Sequence, residues 1–203
     1  MQVLDLGLNN LNSISRALRD AGTESVRIVA SASDFRDSRL MVLPGVGAFG
    51  AAMTSLRNRG LEDQIHEHVQ SGGYLMGICL GMHLLLDGSS ESPGVPGLGL
   101  IRGSVHRIPD QAGMRVPHMG WTNLVSSPSP FKELQSADDF YFVHSFVAAP
   151  VNGSTIIARA RYGSELLPAA LLSERVVGFQ FHPEKSSQPG ARLLREVRAW
   201  SSA

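Results

Sequence analysis

Residues 77–85 read GICLGMHLL and place the only cysteine of the chain, Cys79, between Gly77 and Gly81. The segment YLMGIC (74–79) predicts a buried strand, and helical sequence follows it directly. A strand that turns at once into a helix strains the residue at the turn, and small neighbours relieve the crowding there. The stretch predicts an α/β fold that presents a nucleophile at a strand end. A buried, unreactive cysteine is the alternative.

The first half of the chain alternates between strand and helix patterns. Strands are predicted at 2–6, 25–30, 39–44 and 74–79. A helix with Asn10 or Asn12 as its N-cap is predicted to run to about Ala21, and further helices are predicted at 48–59, at 61–70, and from Leu80 to about Leu86. Such alternation is typical of a parallel sheet with helices on both faces.

The second half has a different texture after a loop rich in Gly, Pro and Ser at 88–99. Short apolar runs follow without helices between them: LIRGSVHRI (100–108), FYFVHSFVA (140–148), STIIARARY (154–162), LLPAALLS (166–173) and VVGFQF (176–181). They predict antiparallel ribbons added to the sheet, with a closing helix at 191–200. We therefore expect one domain, 1–203, with an open and mostly parallel α/β sheet and added antiparallel strands.

Composition excludes several classes of function. Lysine plus arginine and aspartate plus glutamate both number 18, so no basic surplus points to nucleic acid. One cysteine excludes an internal disulfide and favours a reducing, cytoplasmic setting. No apolar run is long enough for a membrane helix, and no metal site is predicted. His66 and His68 face different sides of a helix and are expected to be solvated, and His106 is expected to be structural.

The segment VVGFQFHPEKS (176–186) supplies the partner that a nucleophilic cysteine needs. A buried strand ends there and is followed by His182, Pro183 and Glu184. A thiolate needs a histidine as its proton shuttle, and a third group usually holds that histidine. The residues predict Cys79 as nucleophile, His182 as general acid/base and Glu184 as the group that orients the imidazole. The Leu80 amide would face a developing oxyanion.

The segments GICLG and FQFHPEKS together resemble the class I glutamine amidotransferases. Three further motifs are similar to the glutaminase subunit of imidazole glycerol phosphate synthase: LPGVGAFG (43–50), VPHMGW (116–121) and YFVHSF (141–146). The resemblance runs over nearly the whole chain. It implies hydrolysis of L-glutamine to glutamate and ammonia through a thioester on Cys79, without a cofactor. It also implies a heterodimer with a (β/α)8-barrel cyclase, which uses the ammonia to make imidazole glycerol phosphate and AICAR.

The resemblance also implies roles for residues outside the triad. The glycine loop, Gly45–Val46–Gly47, would supply a second oxyanion amide near Val46. Four residues would contact the substrate or hold it through their backbone: Gly45, His83, Ser145 and Phe146. Four would lie towards the partner: Asn12, His118, Trp121 and Lys185. The sequence departs from the family at three positions: Asn9 replaces a glycine, His83 a glutamine and Phe146 a common tyrosine.

Other interpretations of the same motifs can be weighed. GVGAFG fits the dinucleotide fingerprint, but it follows the third strand and lacks an acid at the end of the next strand. PGVGAF does not match the Gly-Gly-Glu-Ser loop of pyridoxal-phosphate-forming glutaminases. A peptidase-like cysteine hydrolase and a catalytically idle binding subunit are further alternatives. A paralogous glutaminase that supplies ammonia to a different synthase is the alternative nearest to the main interpretation.

Overall fold

A computed structural model describes residues 1–7, 11–111 and 113–202 of the chain. Its strands are β1 (Gln2–Leu4), β2 (Arg27–Val29), β3 (Leu40–Gly45), β4 (Tyr74–Cys79), β5 (Gly88–Ser89), β6 (Gly103–Arg107), β7 (His118–Ser126), β8 (Asp139–His144), β9 (Phe146–Pro150), β10 (Ile156–Tyr162), β11 (Glu165–Ser173) and β12 (Val176–Phe179). Its α-helices are α1 (Leu11–Asp20), α2 (Phe49–Asn58), α3 (Leu61–Gln70), α4 (Leu80–Leu84) and α5 (Ser187–Trp200).

The large sheet has a parallel half and an antiparallel half, in the order β2-β1-β3-β4-β12-β11-β10-β7-β8. The first five strands in this order, β2, β1, β3, β4 and β12, are parallel to one another. The last four, β11, β10, β7 and β8, are antiparallel to their neighbours. This arrangement confirms the predicted fold class. Strand β12 is antiparallel to β11 as predicted, but on its other edge it pairs in parallel with β4, which was not predicted. Its residues are all buried, as in central parallel strands that are covered on both faces.

A second, three-stranded sheet separates from the large one, in the order β5-β6-β9. The predicted ribbon FYFVHSFVA breaks at Ser145. Its first part, β8, pairs with β7 in the large sheet, and its second part, β9, pairs with β6 in the small sheet. Strand β7 was not predicted, because polar residues and Gly120 interrupt its apolar pattern. Every second residue of β7 from Met119 to Val125 is exposed.

Helices cover both faces of the sheet. On one face, buried residues of α1 and α5 pack in one cluster with Val3, Val42 and Met76. On the other, α2, α3 and α4 pack with Leu4, Met41 and Leu75. Neighbouring strand residues thus point into different cores, as the strand period of two requires. No helix of the described residues is long and apolar enough to span a membrane.

Two predicted helix boundaries need correction. Helix α1 begins at Leu11, so Asn12 lies inside the helix and is not its N-cap. Asn9 and Asn10 lie outside the described residues. Helix α4 ends at Leu84 and not near Leu86, because the chain then turns towards β5.

His68 was expected to be solvated, and this was wrong. Its side chain is 5% exposed, and Nε2 donates to the Tyr74 carbonyl oxygen at 2.9 Å. Burial lowers the pKa of His68. The imidazole fits because Gly73 has no side chain, since a Cβ there would lie 2.3 Å from the ring. His66 is half-buried, and His106 binds the Ser104 hydroxyl at 2.7 Å on β6.

The packing at Gly81 leads to a stability prediction. A Cβ on Gly81 would lie 1.8 Å from the Leu43 carbonyl oxygen, which is backbone and cannot rotate away. We expect Gly81→Ala to lower the free energy of unfolding by about 3 kcal/mol or more in urea titrations. Gly153→Ala is the matched control, because nothing lies within 4 Å of a Cβ there, and its change should stay within about 0.5 kcal/mol. Equal stabilities of the two variants would contradict the close approach.

Candidate active site

Three parallel strands end at the same edge of the sheet and bring the predicted motifs together. Strand β3 ends at Gly45 and β4 ends at Cys79, and these two residues are register partners. Strand β12 ends at Phe179, which is paired with Ile78. Open α/β sheets place their ligands at the carboxyl ends of the strands. The glycine loop, Cys79 and the HPE segment therefore meet at this edge.

The turn at Cys79 is strained. Its backbone has φ 52° and ψ −108°, a conformation that residues with a side chain rarely adopt. A Cβ on Gly77 would lie 2.7 Å from the Gly81 carbonyl group, so the turn closes only with glycine at 77. The thiol is 8% exposed. The fold thus holds the side chain at the edge in one orientation.

His182 and Glu184 form a buried pair directly beyond β12. The Nδ1–H of His182 donates to Glu184 Oε1 at 2.8 Å, and the two side chains are 3% and 10% exposed. The His182 backbone amide donates to the Tyr141 carbonyl oxygen at 2.9 Å, which ties the segment to β8. Within the described residues, the buried Nε2 of His182 makes no hydrogen bond of ordinary geometry. Because Nδ1 is bonded to Glu184, Nε2 is the nitrogen that interacts with Cys79 and that could serve a reacting group.

The charge of His182 is set by two opposing effects. Burial alone would lower its pKa, but hydrogen bonding and charge interaction with Cys79 and Glu184 outweigh burial and raise the pKa to about 9. At neutral pH the ring is therefore an imidazolium. Reactive cysteines in proteins are commonly found beside such a cation.

Gln180 links His83 to the thiol of Cys79. The His83 Nε2–H donates to Gln180 Oε1 at 2.7 Å, and Gln180 Nε2 lies 3.9 Å from Cys79 Sγ. His83 is 6% exposed, and its burial lowers its pKa to about 4. The ring is therefore neutral near pH 7, and its Nδ1 is an acceptor.

A cavity of about 380 Å³ opens at the thiol. Its lining includes eight of the predicted site residues: Val46, Gly47, Cys79, Leu80, His83, Ser145, Phe146 and His182. Gly47 has φ 103°, so the glycine loop turns where glycine is favoured. Gly45 is buried behind this loop against Leu80 and does not line the cavity.

Sequence reasoning missed four residues that also line this cavity: Glu91, Pro117, Val143 and His144. His144 and Val143 lie in the quoted motif YFVHSF, so that motif was a usable signal for them. Glu91 comes from the 88–97 loop, the first ten residues of the predicted loop at 88–99, which composition marked only as a connection. No periodicity in the sequence indicates which way such a loop folds.

Two neutral histidines are hydrogen-bonded to each other at the cavity: His144, which lines it, and His118. His144 Nδ1–H donates to the Phe146 carbonyl oxygen at 2.8 Å, so its Nε2 accepts from His118 Nδ1–H at 3.0 Å. His118 Nε2 then accepts from the Thr122 hydroxyl at 3.1 Å. Burial lowers both pKa values, that of His144 to about 3. Protonation of both rings at once would break the bond between them, because two N–H groups would then face each other.

The residues predicted to face a partner are placed differently from one another. Trp121 is 52% exposed, and its ring contacts Tyr141 edge-on at 5.8 Å. The Lys185 ammonium lies 5.9 Å from the same tyrosine ring. Asn12 is exposed on α1. His118 is buried against His144, so it does not belong to this surface.

The neutral histidines lead to a pH prediction. In the unfolded chain His83 and His144 take up protons near pH 6.5, whereas in the folded chain they stay neutral to about pH 4 and about pH 3. Folding stability should therefore fall as pH drops from 6.5 towards 4, by up to about 1.4 kcal/mol per pH unit for each group. His182 adds no slope there, because its folded pKa lies above 6.5 and both states are already protonated.

Urea titrations between pH 4.5 and 7.5 would measure this slope. His83→Gln should reduce the slope of unfolding free energy against pH by the contribution of one histidine, up to about 1.4 kcal/mol per pH unit. Its stability at pH 7.5 serves as the reference, since His83 is neutral in both states there. Parallel slopes for the variant and the parent chain would contradict a neutral, buried His83.

Comparisons with known proteins identify the family. The family model described as glutamine amidotransferase class-I matches residues 2–198. The imidazole glycerol phosphate synthase subunit HisH of Methanothermobacter thermautotrophicus is 43% identical over 195 residues, which cover 95% of this chain and 94% of that protein. HisH of Aquifex aeolicus is 38% identical over 201 residues, which cover 97% and 94%.

Solved structures agree on the fold. A crystal structure of a glutamine amidotransferase superposes with a TM-score of 0.76 at 22% identity, and the match covers 100% of this chain and 99% of that one. The PurLQS structure from Thermotoga maritima gives 0.75 at 19% identity, over 98% and 97%. The resemblance seen in the sequence motifs is confirmed. The chain belongs to the class I glutamine amidotransferase family of enzymes, among the HisH subunits of imidazole glycerol phosphate synthase.

Proposed function

We propose that the chain hydrolyses L-glutamine to glutamate and ammonia, with Cys79 as nucleophile and the His182–Glu184 pair as its proton shuttle. The observation that carries this proposal is the pairing of a strained, cavity-lining cysteine with an imidazolium that a buried carboxylate orients. An idle binding subunit would have no need for this combination. The cavity of about 380 Å³ lies at the small end of ligand sites, which fits one amino acid better than a peptide.

The proposed reaction has two halves. The Cys79 thiolate attacks the side-chain amide carbon of glutamine, and the oxyanion is held by the Leu80 amide and the glycine loop. His182 gives its proton to the leaving nitrogen, the C–N bond breaks and ammonia departs. Water then loses a proton to His182 and attacks the γ-glutamyl thioester. The C–S bond breaks, glutamate is released, and the Cys79 side chain is regenerated.

The charges in the cavity suit the amino-acid end of glutamine. Glu91 lines the cavity, and its carboxylate is the natural partner for the substrate ammonium group. His83 would offer its Nδ1 lone pair to the same group. Backbone groups at Ser145 and Phe146 would hold the substrate carboxylate. The hydrogen bond from His144 to the Phe146 carbonyl oxygen fixes that backbone.

The ammonia acceptor is proposed to be a separate (β/α)8-barrel cyclase subunit, bound as a heterodimer. The relatives' names describe subunits of a synthase, which supports such a partner. Exposed Met119, Trp121 and Lys185 give this chain a mixed apolar and basic surface, and Asn12 would extend it. The cyclase would use the ammonia to form imidazole glycerol phosphate and AICAR in histidine biosynthesis. A free reactive thiol fits the reducing cytoplasm.

Loss of the nucleophile should separate the two activities of the complex. We expect Cys79→Ala to abolish glutamine-dependent synthesis, measured as glutamate release and product formation with the liganded cyclase. Synthesis from added ammonium salt should persist at the parent rate, because the partner's own site is untouched. Loss of the ammonium-dependent reaction as well would contradict a role confined to glutamine hydrolysis.

Glu184→Gln should lower kcat less than His182→Ala, since Glu184 acts through the imidazole.

The ion pair can be tested without turnover. His182 is charged at neutral pH, so His182→Gln should slow alkylation of Cys79 by iodoacetamide at pH 7 at least about tenfold, as mass spectrometry would follow. Lys185→Gln is the control, because it removes an exposed cation three residues away in the same segment and should leave the rate unchanged. Equal rates for the parent chain and His182→Gln would contradict the proposed thiolate–imidazolium pair.

A further inference from the structure

Helix α2 begins without a cap of its own. Its N-cap residue is Ala48, whose side chain has no hydrogen-bonding group. The first amides of a helix have no partner inside the helix and must be satisfied from elsewhere. Here the Phe49 amide donates to Glu91 Oε2 at 2.7 Å, and the Gly50 amide donates to Ser92 Oγ at 3.0 Å. Side chains from the 88–97 loop therefore cap this helix.

The 88–97 loop is itself held in place. The Glu91 amide donates to Ser89 Oγ at 3.1 Å, and the Ser90 amide donates to the Val105 carbonyl oxygen of β6 at 2.9 Å. The Val95 amide donates to the Ser92 carbonyl oxygen at 3.1 Å. These bonds anchor the capping side chains on the small sheet. The cap is therefore a fixed reference point and does not simply follow α2.

The capped end of α2 lies next to the glycine loop in the chain. Strand β3 ends at Gly45 and α2 begins at Phe49, so only three residues, 46–48, join them. All three are exposed, and Val46 has 43% of its surface accessible. The loop has little packing of its own, so its geometry is set by its two ends. The register pair Gly45–Cys79 fixes one end, and Glu91 and Ser92 fix the other.

We infer that Ser92 is a positioning residue for glutamine hydrolysis, which acts by holding the first turn of α2 and so setting the glycine loop beside Cys79. The inference rests on the proposed function. Substitution of Ser92 tests positioning alone, because Ser92 does not line the cavity. Glu91 does line it, so substitution of Glu91 would also remove a proposed substrate contact. Glu91 joins the two roles, since its Oε2 caps Phe49 while its side chain faces the substrate cavity.

The test is steady-state glutamate release by the chain, alone and with the liganded cyclase subunit. Ser92→Ala should lower kcat about tenfold and change KM less than about twofold, because a displaced oxyanion donor acts on the transition state. Alkylation of Cys79 by iodoacetamide should keep the parent rate, since that reaction needs no oxyanion donor. Ser92→Thr keeps the hydroxyl and should restore most of kcat.

Thr54→Ala is the matched control on the same helix. The Thr54 hydroxyl donates to the Gly50 carbonyl oxygen at 2.8 Å, so the variant removes a first-turn hydrogen bond without touching the loop. Its kcat should equal that of the parent chain. An unchanged kcat in Ser92→Ala, or an equal loss in Thr54→Ala, overturns the inference. Slower alkylation in Ser92→Ala also overturns it. If the parent chain releases no glutamate either alone or with the liganded cyclase subunit, the proposed function is overturned, and the inference that rests on it is overturned as well.

Discussion

The contact between the Gly81 backbone and the Leu43 carbonyl oxygen is the constraint on which the site depends. A side chain at Gly81 would collide with that oxygen at 1.8 Å, so α4 can lie this close to β3 only with glycine there. The close approach lets β4 turn into α4 within one residue, and that residue is Cys79. It also places the end of β3 beside Cys79, as the Gly45–Cys79 register shows. Strain at one backbone position is thus maintained by packing at another.

Three histidines near the thiol differ in charge because their partners differ. His182 donates to the carboxylate of Glu184, and this interaction outweighs the effect of burial on its pKa. His83 and His144 donate to neutral oxygens of Gln180 and Phe146, so burial dominates and both rings stay neutral. The cavity therefore contains one imidazolium and two fixed dipoles. Of the three, only His182 carries a proton on both ring nitrogens near neutral pH, which supports the acid/base role that we propose for it.

Sequence reasoning succeeded where the signal is local and failed where it depends on how distant segments meet. Cys79 ends a buried strand, His182 follows another, and both lie in short motifs, so both could be found from residue types and spacing. Glu91 lies in a loop whose direction is set by hydrogen bonds to β6, and no pattern in the loop shows them. His68 fits inside the core only because Gly73 leaves space for its ring. The break of FYFVHSFVA at Ser145 depends likewise on two different partner strands.

The break at Ser145 divides the predicted ribbon between the large sheet and the small sheet. Strand β9 begins at Phe146, which lines the cavity, and it pairs with β6. The 88–97 loop begins with β5 of the same sheet and carries the side chains that cap α2. The small sheet therefore holds both the backbone proposed for the substrate and the tether of the glycine loop. Under the proposed function, the small sheet thus positions the backbone that would hold the substrate and one end of the glycine loop. The large sheet positions the other end of that loop together with Cys79.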